Sequence, residues 1–306
     1  MNKDGVPPLS VAEDRIQNAI RDAGGGAFLI LTFGSLMGLR DNTMMTNMVS
    51  TLSTFNPVCF HLGARPIYWY GIMVALAFLA GVLHLTWLAR KTGRPETAGS
   101  DIGFWLMLSG VIGGRVAYIM ANYRDYLADP WTIIRVDQGG LIFYGGFIGA
   151  MMAGIIYSRV KREPFLVFSD YVITALPLAH ALGRLGCFLN GCCYGSITLL
   201  PWRVFVNGTP RHPVQLYEAL LGLMVYGVLL WAYGRVKIPG RVLAVYLMLY
   251  PVGRFIVEFW RGDPRQHGFG LTVAQNISLV LFAAGVALWF LAPVFARHGR
   301  TKPVAG

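Results

Sequence analysis

Charged residues are scarce in this chain of 306 residues: 13% are Asp, Glu, Lys or Arg, whereas 55% are hydrophobic. A soluble domain carries nearer a quarter of charged residues, so this composition argues against a water-soluble protein and indicates an integral membrane protein. Short segments of alternating polarity are also lacking, so we expect the spans to be helices. The net charge of +11 suits an anionic membrane surface and gives no reason to expect a nucleic-acid partner.

Seven segments are long and apolar enough to cross a bilayer, which needs about 20 residues of helix. They are residues 68–89, 102–122, 139–160, 165–189, 214–234, 241–260 and 271–293. We therefore predict an all-α membrane protein with seven transmembrane helices. Residues 1–55 contain one apolar run, 27–39, that is too short to span. We interpret them as a poorly ordered extension, consistent with a start codon placed too early, in preference to a signal-like segment.

Lysine and arginine predict the orientation, because they are enriched in cytoplasmic loops. Twelve lie in the loops after the first, third and fifth segments and in the tail: Arg90, Lys91, Arg94, Arg159, Lys161, Arg162, Arg235, Lys237, Arg241, Arg297, Arg300 and Lys302. Six lie in the opposite loops: Arg124, Arg135, Arg203, Arg211, Arg261 and Arg265. The N-terminus is thus predicted to be periplasmic and the C-terminus, with the tail 297–306, cytoplasmic.

Polar side chains collect in one half of the predicted membrane. With the orientation above, all of the following fall near the periplasmic ends of the helices: Arg115, Tyr144, His180, Arg184, Asn190, His212, Tyr217, Glu218, Arg254, Glu258, Arg261 and Gln275. Charges within a membrane are costly and by default functional. Arg261 is expected to lie nearer the water than Arg184 and Arg254.

Arginines outnumber acids in this set. The planar guanidinium group binds phosphate at two points and stays charged, so we predict an anion site, with a phospholipid headgroup as the available anion. Arg254 and Glu258 are four residues apart and can pair on one helix face. The alternative is that Arg254–Glu258 and Arg184–Glu218 are only structural ion pairs.

The stretch GRLGCFLNGCCYG, residues 183–195, holds three of the four cysteines. The spacing C-x4-C-C is not typical of zinc sites, so we predict neither a metal nor a cofactor. The cysteines are interpreted as small packing residues. A thiol nucleophile and a Cys187–Cys192 disulfide are the alternatives.

The same stretch resembles the signature of the prolipoprotein diacylglyceryl transferases, G-R-x-x-N-F-x-N-x-E-x-x-G, at Gly183, Arg184, Phe188, Asn190 and Gly195. The segments NPVCF, YWYGIM, GGRVAYIM, GGLIFYGG, HPVQLYEA, RFIVEFWR and LTVAQNIS resemble the family in the same order, over residues 56–293. Three positions depart from it: Cys187 and Cys192 replace an asparagine and a glutamate of the signature, and Tyr144 stands where some members have histidine.

The resemblance implies a seven-helix enzyme of the bacterial inner membrane. It would move the diacylglyceryl group of phosphatidylglycerol onto the lipobox cysteine of lipoprotein precursors and release glycerol phosphate. The transferase domain would be residues 56–296, with a periplasmic cap around 191–213. A non-catalytic or altered-acceptor lipid-binding relative is an alternative. An anion transporter is less favoured, because internal repeats and midplane charges are lacking.

The resemblance also implies residue roles. Arg184 and Arg254 would bind the headgroup, Glu258 would orient Arg254, and Asn190, Tyr217 and Glu218 would line the site. Thiol attack needs a base, for which His180 or His212 is suited near neutral pH and Tyr144 is a third candidate. The predicted substrate-binding set is completed by Tyr70, Arg115 and Gln275.

Overall fold

The computed structural model describes residues 57–128, 131, 133 and 140–298. The predicted extension 1–55 and residues 299–306 lie outside this part of the chain. The described residues form nine helices: α1 (Trp69–Thr92), α2 (Ala98–Ala121), α3 (Tyr123–Ala128), α4 (Phe143–Val160), α5 (Phe165–Ile173), α6 (Leu176–Leu189), α7 (Val214–Arg235), α8 (Arg241–Glu258) and α9 (Val273–His298). The protein is mostly helical, as the composition predicts.

Five of the predicted spans are helices long and apolar enough to cross a membrane. They are α1, α2, the consecutive pair α5 and α6 (Phe165–Leu189), α7, and Val273–Phe295 within α9. The other two predicted spans form α4 and α8, which have 18 residues each. Helix α8 carries the charges of Arg241, Arg254 and Glu258. The described part of the chain thus has five clear candidate spans where the sequence predicted seven.

Three short hairpins accompany the helices, and the all-α prediction missed them. They are β1 (Val58–Leu62) with β2 (Arg65–Tyr68), β3 (Val204–Val206) with β4 (Thr209–Arg211), and β5 (His267–Gly268) with β6 (Leu271–Thr272). Asn207 and Gly208 connect β3 and β4, and both have positive φ, 51° and 73°. Two positive φ angles are what a type I′ turn requires, and Asn-Gly is its strongest sequence signal.

The predicted span 165–189 is divided at Thr174 and Ala175 into α5 and α6. Pro177 lies in the first turn of α6 and has no N–H group to donate to a preceding carbonyl. The Thr174 hydroxyl donates to the Tyr171 carbonyl at 2.7 Å and contacts Nε2 of His84 at 2.8 Å. A second contact joins Nδ1 of His84 to the Tyr226 hydroxyl at 3.0 Å, so the break lies on a buried polar network.

A buried carboxylate fixes the start of α8. Asp170 on α5 accepts hydrogen bonds from the backbone N–H groups of Gly240 (2.7 Å) and Leu243 (2.8 Å). The first N–H groups of a helix have no partner within the helix, so a carboxylate at this end satisfies them. Asp170 thereby sets where α8 begins relative to α5.

Glycines allow α2 and α4 to approach closely. A Cβ atom on Gly113 of α2 would lie 3.1 Å from Cα of Gly149 and closer still to the Gly145 carbonyl, both on α4. No side chain larger than hydrogen fits there, so these glycines set the close packing of α2 against α4.

The outward surface is apolar. Large hydrophobic side chains are exposed along the helices, among them Phe78, Trp105, Ile148, Met224 and Val280. Contiguous apolar surface of this kind is rare on soluble proteins and suits contact with lipid. Buried apolar residues concentrate between α1, α2 and α5, around Leu85, Ile102 and Tyr171.

Candidate active site

Charged side chains from three helices meet at one point. Helix α6 packs against α7, and α7 packs against α8, so polar residues at the facing ends of these helices become neighbours. Arg184 comes from α6, Glu218 from α7, and Arg254 and Glu258 from α8. The structure thus brings together four residues that the sequence distributes over 75 positions.

Glu218 is the centre of this cluster, and its side chain is 1% exposed. Its Oε2 lies 2.5 Å from Nε of Arg184, and its Oε1 lies 3.6 Å from Nε of Arg254. Nη1 of Arg261 is 3.5 Å from the same Oε1. A buried carboxylate is tolerated when cations compensate it, and here three do so.

Glu258 pairs with Arg254, as their spacing predicts. Nη1 of Arg254 donates to Oε2 of Glu258 at 2.5 Å, one turn further along α8. Nε of Arg265 is 3.5 Å from the other carboxylate oxygen of Glu258. Arg254 is therefore held by carboxylates on two helices.

Arg261 is buried, contrary to the prediction that it lies nearer the water. Its side chain is 3% exposed, against 21% for Arg184 and 13% for Arg254. Nε and Nη2 donate to the two carboxylate oxygens of Asp263 at 3.0 and 2.8 Å. Burial alone would lower the pKa of Arg261, but the hydrogen bond to Asp263 and the charge of Glu218 outweigh it and raise that pKa.

The loop of residues 191–213 covers this end of α8. Gly195 forms a bridge with Arg261, its N–H donates to the His212 carbonyl at 3.1 Å, and Gly262 N–H donates to the Tyr194 carbonyl at 3.2 Å. A Cβ atom on Gly195 would lie 2.6 Å from the His212 carbonyl oxygen, so this position requires glycine. These backbone contacts explain why Arg261 is shielded from solvent.

His180 lies beside the arginines, one turn before Arg184 on α6. Its Nε2 accepts a hydrogen bond from Nε of Arg184 at 3.3 Å and lies 3.4 Å from the Tyr250 hydroxyl. Of the predicted bases, His180 is therefore the one in contact with a cluster arginine.

His212 lies on the covering loop, is buried, and packs among aromatic side chains. Its Nδ1 lies 3.3 Å from the Tyr217 hydroxyl, which accepts a hydrogen bond from Nε1 of Trp202 at 2.7 Å. The ring also packs near Trp260, with centroids 6.3 Å apart. Burial lowers the pKa of His212, so its imidazole is neutral at pH 7 and able to accept a proton.

For three residues that were predicted to belong to the site, the structure shows surroundings other than the charged cluster. Arg115 donates to the carbonyls of Ile133 (3.0 Å) and Gly140 (3.2 Å), in the connection between α2 and α4. Tyr144 is 64% exposed at the start of α4. Gln275 forms a capping box at the start of α9, where its Oε1 accepts from Thr272 N–H at 3.0 Å and its N–H donates to the Thr272 hydroxyl at 3.2 Å.

Tyr70 and Asn190 line an open cavity of about 690 Å³. Its remaining lining is largely apolar and comes from β2 and the first turns of α1: Pro66, Ile67, Tyr68, Gly71, Ile72 and Ala75. Asn190 ends α6, six residues after Arg184, so the cavity adjoins the end of the helix that carries this arginine.

The three cysteines of the 183–195 stretch are close together and are free thiols. Sγ of Cys192 donates a hydrogen bond to the Cys187 carbonyl at 3.6 Å. Gln215 of α7 is 1% exposed and donates from Nε2 to the Cys192 carbonyl at 2.7 Å.

Sequence reasoning missed three residues of this cluster: Tyr250, Asp263 and Arg265. Tyr250 precedes Arg254 by four residues and Glu258 by eight, a spacing that places all three on one helix face. Asp263 and Arg265 follow Arg261 in the run RGDPR, where positive and negative charges alternate. This alternation was the sequence signal that could have predicted an ion-pair network.

Chemically, the arrangement presents fixed guanidinium groups to an anion. Within the described residues, the Nη atoms of Arg184 and Nη2 of Arg254 have no hydrogen-bond partner. These atoms belong to groups whose Nε positions are fixed by Glu218, so they are pre-oriented donors for phosphate oxygens.

The chain matches one family model over residues 57–291, described as "Prolipoprotein diacylglyceryl transferase". Similar proteins carry the name phosphatidylglycerol–prolipoprotein diacylglyceryl transferase. That of Legionella pneumophila (strain Lens) is 34% identical over 251 residues, which cover 78% of this chain and 98% of the relative. Those of Clostridioides difficile (strain 630) and Coxiella burnetii (strain RSA 331 / Henzerling II) are 37% and 36% identical, and cover 75% and 77% of this chain and 92% and 95% of the relatives.

Proposed function

The chain belongs to the prolipoprotein diacylglyceryl transferase family, and from this premise we propose how its site works. It is a transferase that moves the diacylglyceryl group of phosphatidylglycerol to prolipoprotein. In the proposed reaction the acceptor is the lipobox cysteine. Its sulfur attacks the glycerol carbon that is joined to phosphate, a sulfur–carbon bond forms, the carbon–oxygen bond breaks, and glycerol phosphate leaves.

Arg184 and Arg254 bind the phosphate in this proposal. The observation that carries it is their convergence from two helices on one buried carboxylate, Glu218, with both Nη atoms of Arg184 and Nη2 of Arg254 left for a ligand. As the carbon–oxygen bond breaks, negative charge grows on the leaving phosphate, and fixed guanidinium groups stabilise it. Glu258 holds Arg254 in position.

The acceptor thiol must lose its proton during the attack. His180 contacts Arg184, which argues for its neutral form, since a second cation beside the arginine is unfavourable. His212 is neutral as well and lies on the covering loop. A neutral imidazole can accept a proton, and both are proposed to serve the site.

The cavity beside Tyr70 and Asn190 is the proposed entrance for substrate. Its apolar lining fits acyl chains or the hydrophobic part of a precursor, and Asn190 in its lining caps the helix that carries Arg184. We propose that the transferase domain comprises residues 56–296 and that residues 191–213 within it form the cap.

A transfer assay tests the function. Membranes containing the protein should move labelled diacylglyceryl from phosphatidylglycerol to a lipobox peptide, and a peptide with serine in place of the cysteine should stay unlabelled. If the cysteine peptide stays unlabelled although the protein is present at its normal level, the proposed reaction is wrong.

We further propose seven spans in the bacterial inner membrane, with α4 and α8 completing the five clear ones. The charges of α8 lie at its two ends, and Arg254 and Glu258 are paired within the bundle, so the helix can cross lipid despite them.

Reporter fusions test this topology. We expect cytoplasmic signals from reporters placed after Lys91, Arg162 and Lys237, and periplasmic signals from those placed after Arg124, Thr209 and Pro264, because basic loops are retained inside. A reversed pattern would contradict the orientation. Equal signals on both sides of α8 would contradict the seventh span.

A further inference from the structure

The three thiols of the 183–195 stretch converge. Their Sγ atoms all lie within 4.8 Å of one another, although Cys187 lies in the last turn of α6 and Cys192 and Cys193 follow the helix. The spacing in the sequence gave no reason to expect a shared site. The fold creates one.

The convergence results from the way α6 ends. Gly191 has a φ of +68°, Cys192 N–H donates to the Cys187 carbonyl at 3.2 Å, and Gly191 N–H donates to the Phe188 carbonyl at 3.1 Å. These two bonds define a Schellman motif, which reverses the chain and returns Cys192 to the level of Cys187.

Two further features hold the cluster in place. Cys193 has a φ of +59°, a left-handed conformation that costs an ordinary residue about 1–2 kcal/mol. Gln215, buried to 99%, fixes the Cys192 carbonyl. Buried hydrogen bonds that orient ligand-bearing backbone are typical of metal sites.

We propose that Cys187, Cys192 and Cys193 form a three-thiolate site for a soft divalent cation of the zinc class. Thiolates are the ligands such ions prefer, and three protein ligands with an open fourth position are typical of catalytic zinc. Among the described residues no histidine or carboxylate joins the group, which leaves the fourth position open.

The open position takes the acceptor thiol, a step that rests on the proposed function. A thiol that coordinates such an ion is deprotonated. Its proton passes to solvent or to a neighbouring base, and the metal-bound sulfur then attacks the glycerol carbon while the electron pair of the carbon–oxygen bond leaves with the phosphate. No oxidation or reduction occurs. The cluster adjoins Asn190, which lines the cavity, so an entering peptide can reach it.

Cobalt titration of the full-length protein, purified in detergent under reducing conditions, tests the site. We expect one Co²⁺ per chain with a thiolate-to-cobalt charge-transfer band. Each of the variants Cys187→Ser, Cys192→Ser and Cys193→Ser should weaken binding by at least about 10-fold. The matched control is Cys59→Ser, since Cys59 lies on β1 outside the cluster. No band in the unmodified protein, an unchanged band in the three variants, or thiols consumed by a Cys187–Cys192 disulfide in protein isolated without reductant would overturn the proposal.

Adding peptide to the cobalt-loaded protein tests the open position. A lipobox peptide should shift the charge-transfer band, and the same peptide with serine for cysteine should not. A band that no peptide shifts would overturn acceptor binding to the metal. The transfer assay is run separately with the Cys59→Ser protein. If this protein shows an intact cobalt band but no transfer, the proposed function and its link to this site are contradicted. The metal site itself then stands.

Discussion

Lysine in place of Arg184 or Arg254 should slow diacylglyceryl transfer by roughly 30- to 1000-fold, which corresponds to about 2–4 kcal/mol of transition-state stabilisation. Lysine keeps the positive charge but has no planar pair of donors. Nε of each arginine faces Glu218 and Nη1 of Arg254 is held by Glu258. The Nη atoms of Arg184 and Nη2 of Arg254, which lysine lacks, are left for the phosphate. Alanine should be worse than lysine at both positions.

The measurement is the initial transfer rate in membranes with matched protein levels. Arg124→Lys is the control, because Arg124 is exposed and its described contact is with the neighbouring Tyr123. Glu258→Gln should cost less than Arg254→Ala, since it loosens the arginine without removing the cation. Near-normal rates for both Arg184→Ala and Arg254→Ala would make the cluster structural and would contradict the proposed phosphate site.

Alanine in place of Glu218 should lower the free energy of unfolding by about 3–5 kcal/mol. Three arginines share this carboxylate, and its removal leaves their charges inside the bundle without their common partner. Transfer should be lost as well, because the carboxylate fixes both proposed phosphate-binding groups. Arg261→Ala should also destabilise the protein, since its buried side chain joins Glu218 to Asp263.

Thermal or denaturant unfolding in detergent measures this effect. Glu96→Ala is the control, because Glu96 pairs with Arg90 at 3.3 Å on the surface, where both side chains are more than half exposed. Such pairs contribute within about 1 kcal/mol. If Glu218→Ala and Glu96→Ala unfold alike, the central role of Glu218 is wrong.

Features that depend on composition or on spacing within one helix were predictable. Apolar content indicated the membrane and the helices, and an interval of four residues placed Arg254 and Glu258 on one face. The family also followed from the order of the motifs along the chain. The Thr272–Gln275 capping box and the Asn207–Gly208 turn carried local signals of the same kind, although Gln275 had been assigned to substrate binding.

Features that depend on which helices pack together were decided by the tertiary structure alone. The sequence indicates that Arg184, Glu218 and Arg254 are unusual within apolar segments, but the choice of Glu218 as the shared partner depends on α7 lying between α6 and α8. The loop that pairs Gly195 with Arg261 buried a residue expected near the water. A Schellman turn and one left-handed residue brought three thiols together. Spacing fixes contacts within a helix, whereas contacts across helices and loops depend on the balance of packing and buried charge over the whole bundle.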